Sequence, residues 1–155
     1  MTIQPSFRTN DIEEVGDERH LTLFEMVGNF AFGNKYFKRE AIQLAYDFFF
    51  KELGLSLDRA YVTVFRGDKE APLDQESIKI WRELGIPDKD IRMGDREDNW
   101  WPPKQPGSGP CGPTTEIYID DIEVWNIVFN EFYKNEAGKY EPIKEPGIDT
   151  GAGFE

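Results

Sequence analysis

The fourteen residues WWPPKQPGSGPCGP, from Trp100 to Pro113, constrain the fold more than any other stretch of the chain. Five of the ten prolines fall between positions 102 and 113. Proline removes a backbone donor and fixes φ, and interspersed glycines loosen whatever remains. Such density is expected to exclude helix and central strand and to give a shaped loop. The segments around it carry ordinary signals. Residues 3–8 read as a strand ending at Phe7-Arg8, followed by a polar, acidic loop from Thr9 to Arg19. Residues 21–32 read as a second strand, broken by Gly28 and closed by Gly33. Strand, long charged loop and strand make an antiparallel hairpin with an oversized tip, and loops of that length are usually functional.

Residues 38–53 space their apolar side chains for an amphipathic helix ended by Gly54. Tyr61–Phe65 (YVTVF) is a β-branched and aromatic strand. Residues 74–84 predict a second helix, opened by Asp74 as N-cap and stopped by Gly85. A short strand is expected at 91–93, then strands at 116–119 and 124–133 with Asp120-Asp121 as the turn. A turn at 135–139 leads to a strand near 140–143. The end, GIDTGAGFE, reads as a strand exit into a glycine-rich helix start. No internal repeat and no low-complexity linker interrupt this order.

At 155 residues the chain is one domain's worth, with 39% hydrophobic and 14% aromatic residues, so a packed core is expected rather than disorder. No apolar run approaches the roughly 18 residues that span a bilayer. The N-terminus lacks the basic and apolar regions of a secretion signal. A single cysteine excludes an intramolecular disulfide, and one His with one Cys cannot make a usual zinc site. A cytoplasmic, reducing location is expected. A net charge of −12 argues against nucleic-acid binding by this surface alone, since that affinity comes largely from neutralising phosphates. ATP needs only a few converging arginines, whatever the total charge.

Strand 124–133 places Trp125, Ile127 and Phe129 on one face and Asn126, Val128 and Asn130 on the other. Two amides around a small aliphatic suit a small polar ligand, and also suit a half-exposed strand in water. Arg8 at a strand end, with Arg19 and His20 on the following loop, fits phosphate binding or pairing with the loop's own acids. Gly151 and Gly153 fit a close backbone approach to an anion. Glu25, Asp98 and Glu116 beside strands also read as solvated or capping carboxylates.

Four stretches in order resemble the alanyl-tRNA synthetases, a class II aminoacyl-tRNA synthetase family. RTNDIEEVG from Arg8, then Arg19-His20 and FEMVGNF from Phe24, is similar to the family's extended motif 2. Asp98-Asn99-Trp100-Trp101 with Gly109-Pro110-Cys111-Gly112-Pro113 resembles its signature loop. Trp125-Asn126-Ile127-Val128-Phe129 resembles the pocket strand, and DTGAGFE from Asp149 the opening of motif 3. Together they cover essentially the whole chain. The family's doubled histidine followed by threonine and paired phenylalanines is replaced here by His20-Leu21-Thr22-Leu23-Phe24. Residues 102–106 replace a shorter glycine-containing segment.

The resemblance implies an α+β fold, an antiparallel sheet flanked by helices. It implies one partial catalytic domain over 1–155, from motif 2 to the start of motif 3. Motif 1 and the tRNA-recognition and editing domains fall outside these residues. The implied reaction is attack of the alanine carboxylate on the α-phosphate of Mg-ATP. Arg8 is then the catalytic residue, bridging carboxylate and α-phosphate. Arg19, His20 and Phe24 serve ATP, and Glu116 meets Mg²⁺ or nucleotide. Asp149 pairs with the α-ammonium group, and Trp101, Asn126, Val128 and Gly151 wall the methyl pocket. The implied partners are alanine, ATP with Mg²⁺, and tRNA(Ala) through domains outside this stretch; no membrane is implied. Without motif 1 or the motif 3 arginine, these residues alone are expected to be inactive or weakly active. The alternative is a non-catalytic paralogue or fragment that binds ATP or amino acid.

Overall fold

Alternating side chains at the N-terminus fold back into an antiparallel hairpin, β1 (Thr2–Phe7) against β2 (Leu23–Gly28), with Thr2 opposite Gly28 and Phe7 opposite Leu23. The computed structural model describes residues 1–9, 12–17, 20–33, 35–102 and 107–154. The second expected strand, 21–32, is divided. Its last part is β3 (Phe30–Ala31), and Asn29 is the break. There the Asn29 N–H donates to Thr150 Oγ1 at 2.8 Å, so a side chain replaces one rung of the ladder. Gly28 is needed at this crossing, because a Cβ would stand 2.1 Å from the Thr150 carbonyl oxygen.

The first helix, α1 (Lys38–Tyr46), runs on through Asp47–Glu52 in wider turns, with Leu53 N–H donating to the Phe48 carbonyl at 2.9 Å. Widening that turn lets consecutive aromatics reach one partner: Phe48 and Phe49 lie 6.4 and 5.8 Å from the Trp125 ring. β4 (Ala60–Phe65) follows, then α2 (Gln75–Glu83), whose N-cap Asp74 accepts from Ser77 N–H as its sequence predicts. β5 (Ile91–Gly94) lies parallel to β4; every other pairing in the sheet is antiparallel. β6 (Trp100–Trp101), β7 (Gly109–Ile119), β8 (Ile122–Lys134) and β9 (Tyr140–Gly153) complete the order β1-β2-β9-β8-β7-β4-β5, with β3 on β9 and β6 on β7.

Two expectations are overturned. The proline-rich segment does not stay out of the sheet: from Gly109 it is the first half of β7, between β4 and β8. The prolines are tolerated because β4 pairs only with Thr115–Ile119, so Pro110 has β8 alone beside it and Pro113 faces the two-residue β6. A bulge between Cys111 and Thr114 absorbs the misfit, and Gly112 passes so close to the Phe129 carbonyl that no Cβ fits. Residues 103–106 lie outside the described residues. The C-terminal GIDTGAG is likewise strand, not helix start. β9 holds it between β8 on one side and β2 and β3 on the other, which supplies ladder partners that a helix would forfeit.

Asp120 and Asp121 turn the β7–β8 hairpin with φ of +51° and +63°, the left-handed pair that tight hairpins use. Both helices cover one face of the sheet. Ile42, Phe49 and Trp81 pack there against Val62, Val64, Ile117, Ile127, Phe129 and Ile148. The fold is thus α+β with a mostly antiparallel sheet, as expected. The helices stop short of the hairpin, and Ile3, Phe7 and Leu23 on its helix-side face remain exposed.

Candidate functional site

The uncovered face carries polar residues in register. Thr63 on β4 opposes Glu116 on β7, Glu116 opposes Asn126 on β8, and Asn126 opposes Gly151 on β9. One step along, Thr114, Val128, Asp149 and Phe30 form a second row. Cross-strand pairs share a face, so the sheet puts four expected residues, Asn126, Val128, Asp149 and Gly151, on the face that carries Glu116. Opposite them, Trp125, Ile127 and Phe129 enter the core.

Glu116 is buried at the centre. Its Oε1 accepts from Asn126 Nδ2 at 3.0 Å and Thr114 Oγ1 at 3.4 Å; its Oε2 accepts from Thr63 Oγ1 at 3.0 Å and Tyr118 OH at 3.1 Å. Burial, aided by the charge of Glu123, pushes its carboxyl up to about 7 against the pull of the hydroxyl donors. Burial raises the Tyr118 hydroxyl too, with the Glu116 charge adding to it. Asn99, fully buried, donates to Thr63 Oγ1 at 2.7 Å and Thr114 Oγ1 at 3.2 Å. A cleft of about 370 Å³ opens over this network, lined among others by Thr63, Arg92, Asn99, Glu116, Tyr118 and Glu123.

Arg8 continues the alternation of Thr2, Gln4 and Ser6, and its N–H donates to the Thr22 carbonyl at 2.8 Å. Its charge reaches Glu123. Partial burial raises that carboxyl although the residue keeps surface in water, and Asn126 and Arg8 oppose the rise. Phe24, half-buried, shares a face with Met26. The Met26 sulfur would lie 2.9 Å from a Cβ at Gly151, so that position takes only glycine without displacement. Trp101 stands on β6 opposite Gly112; its neighbour Trp100 packs against Phe65, Phe132 and Tyr140.

His20 is not brought to the cleft. Its Nδ1 lies 2.7 Å from Asp17 Oδ2 and its Nε2 3.3 Å from Glu14, an acidic clasp within the loop. Arg19 lies outside the described residues. Among the described residues no group of three or more His, Cys, Asp or Glu side chains could hold a metal. A Mg²⁺ ion brought by ATP would have to compete with four side-chain donors for Glu116.

Thr63, Asn99, Tyr118 and Glu123 were not expected in the site. Thr63 carried a signal, the single aliphatic hydroxyl in an apolar and aromatic strand. Asn99 and Glu123 act through distant partners, which no local pattern reveals.

An antiparallel sheet with helices on one face and a ligand-sized polar cleft on the other is the frame of a small-ligand enzyme domain. A sequence model described as tRNA synthetases class II (A) matches residues 1–155, and the chain belongs to that family. It is 42% identical over 180 residues to the alanine–tRNA ligase of Rubrobacter xylanophilus, which covers 99% of this chain and 20% of the relative. It is 42% identical over 173 residues to the alanine–tRNA ligase of Treponema denticola, covering 99% and 28%. A third, from Petrotoga mobilis, is 42% identical over 177 residues, covering 99% and 19%. The chain thus spans 19–28% of the length of these relatives. Among the described residues no helix is long and apolar enough to cross a membrane.

Proposed function

We propose that the site activates alanine with ATP, forming alanyl-adenylate as the first half of tRNA(Ala) charging. The observation that carries this reading is the convergence of Asn126, Val128, Asp149 and Gly151 on one face of a class II synthetase sheet. The relatives' shared name supports alanine as the amino acid. In this reading Val128, Gly151 and Trp101 bound a methyl-sized space, and the Asp149 carboxylate takes the ammonium group. Arg8 holds a carboxylate oxygen of alanine and an oxygen of the α-phosphate, where charge gathers as pyrophosphate leaves. No covalent enzyme intermediate is required, so the residues act by positioning and by charge stabilisation. Phe24 offers a ring to adenine, Arg19 and, once released from Asp17 and Glu14, His20 serve the outer phosphates, and Mg²⁺ arrives with ATP as substrate. The three assignments to adenine and outer phosphates rest on family resemblance.

A methyl pocket separates alanine from glycine or serine by only about 1–3 kcal/mol. Contacts to tRNA(Ala) fall to parts of the longer relatives beyond these residues, consistent with a net charge of −12 here. The test is calorimetric titration with a sulfamoyl analogue of alanyl-adenylate. Binding is expected, and Asp149→Asn should lose most of it. Unchanged affinity in that variant would remove Asp149 from the site; absence of binding by the wild-type chain would favour a non-catalytic role.

A further inference from the structure

Asn126 stands between Glu116 on β7 and Gly151 on β9. A primary amide has two N–H donors and one carbonyl acceptor, and which end points where sets what it can bind. Here Nδ2 donates to Glu116 Oε1 at 3.0 Å, and Glu123 lies close enough for Asn126 to act on its carboxyl. Rotating the amide by half a turn would aim its carbonyl oxygen at the Glu116 carboxylate, replacing a hydrogen bond with repulsion. The orientation is therefore fixed by charge. Glu116 cannot yield easily either, because Thr63, Thr114 and Tyr118 hold it from the remaining directions. The outcome is an oxygen, Asn126 Oδ1, turned from the β7 side, buried and without a hydrogen-bond partner among the described residues. Buried polar atoms in native proteins nearly always have partners, so this orphan, on the face that carries the expected alanine residues, leaves a contact open to a ligand. Alanine offers that oxygen a single kind of donor, its ammonium group.

We propose that Glu116 is a positioning residue, which with Glu123 aims the Asn126 carbonyl oxygen at the substrate's α-ammonium group and does not itself bind nucleotide. The proposal rests on the alanine reading above and adds a second acceptor to Asp149. It predicts that Glu116 matters only for ligands carrying the amine.

The test compares two probes at pH 8: a sulfamoyl analogue of alanyl-adenylate, and its propionyl counterpart that lacks the amino group. ATP is titrated separately, and thermal unfolding checks each variant. The wild-type chain should prefer the amine-bearing probe. Glu116→Ala should cut that preference about tenfold or more, the range of a charge-assisted hydrogen bond, with ATP affinity unchanged within error. Glu116→Gln, whose carbonyl can still accept from Asn126, should keep most of the preference. Equal weakening of both probes, loss of ATP affinity, or equal loss in Gln and Ala variants would overturn the proposal. A wild-type chain that binds both probes alike overturns it while leaving the adenylate reading intact; one that binds neither overturns both. If Glu116→Ala does not fold, the Asn126 side-chain amide resonances of the wild-type chain decide. They should shift with the amine-bearing probe alone; equal shifts with both would overturn the proposal.

Discussion

A guanidinium holds two oxygens at once, whereas an ammonium of the same charge is a point donor. For Arg8 this separates charge from geometry. In alanine-dependent pyrophosphate exchange, measured in a chain extended at both ends to the relatives' length, Arg8→Lys should be nearly as damaging as Arg8→Ala. The expected loss is roughly 3–4 kcal/mol, about a hundredfold or more in rate. Near wild-type exchange by a folded Arg8→Lys protein would return Arg8 to surface pairing with the acids of its own loop. Glu116 makes a prediction about stability. Its carboxyl is raised from 4.5 to about 7 in the folded chain, so the native state holds a proton that the unfolded state has released. Stability should therefore be full below about pH 4.5 and fall as pH rises toward 7. The loss is of order 3 kcal/mol at 1.36 kcal/mol per unit. Urea midpoints at pH 5 and pH 8 should show the drop, and Glu116→Gln should remove most of it; an unchanged slope would mean that Glu116 titrates normally.

The elements are joined by a buried ion cluster that no periodicity announces. Lys38 at the start of α1 donates to Asp74 at 2.8 Å and to Glu131 on β8 at 3.0 Å, with its ammonium 4.9 Å from the Phe129 ring centroid. Burial alone would lower the Lys38 ammonium, but the two carboxylates carry it above its usual value. Lys38→Met leaves two carboxylates without their cation, and a loss of about 3–5 kcal/mol in unfolding free energy is expected. A loss under about 1 kcal/mol would show the cluster to be solvated. The contrast with α2 shows what a sequence reveals. Asp74 as N-cap was legible because capping is decided within three residues. The tie from Asp74 to Lys38, 36 positions away, was not. β7 was hidden for a related reason: Pro110 and Pro113 break the local strand rules, and only the short reach of β4 and β6 makes them harmless. In β9, Gly151 and Gly153 looked like a helix start because a strand so weak by propensity is held by its neighbours. The inner face of β8 was legible from alternation, whereas the orientation of the Asn126 amide required Glu116 on the neighbouring strand.

At the scale of the whole molecule, one end of the sheet is β1, a six-residue strand whose outer rim pairs with no other strand among the described residues. The Arg8 N–H bonds to Thr22, so by antiparallel alternation the even positions of β1 face β2 and the odd ones turn their amides outward. Pro5 is therefore on the open side, where it withholds a donor from the middle of the rim. The neighbouring Ile3 and Phe7 are apolar and exposed, which would otherwise make this strand a template for another chain. Pro5 is expected to hinder end-to-end growth of the sheet. Pro5→Thr should leave the monomer's thermal midpoint within a few degrees of wild type, yet shorten the lag before thioflavin-positive fibres form in concentrated solution. An equally long lag in both proteins would show that Pro5 guards nothing and that the chain's charge alone keeps its copies apart.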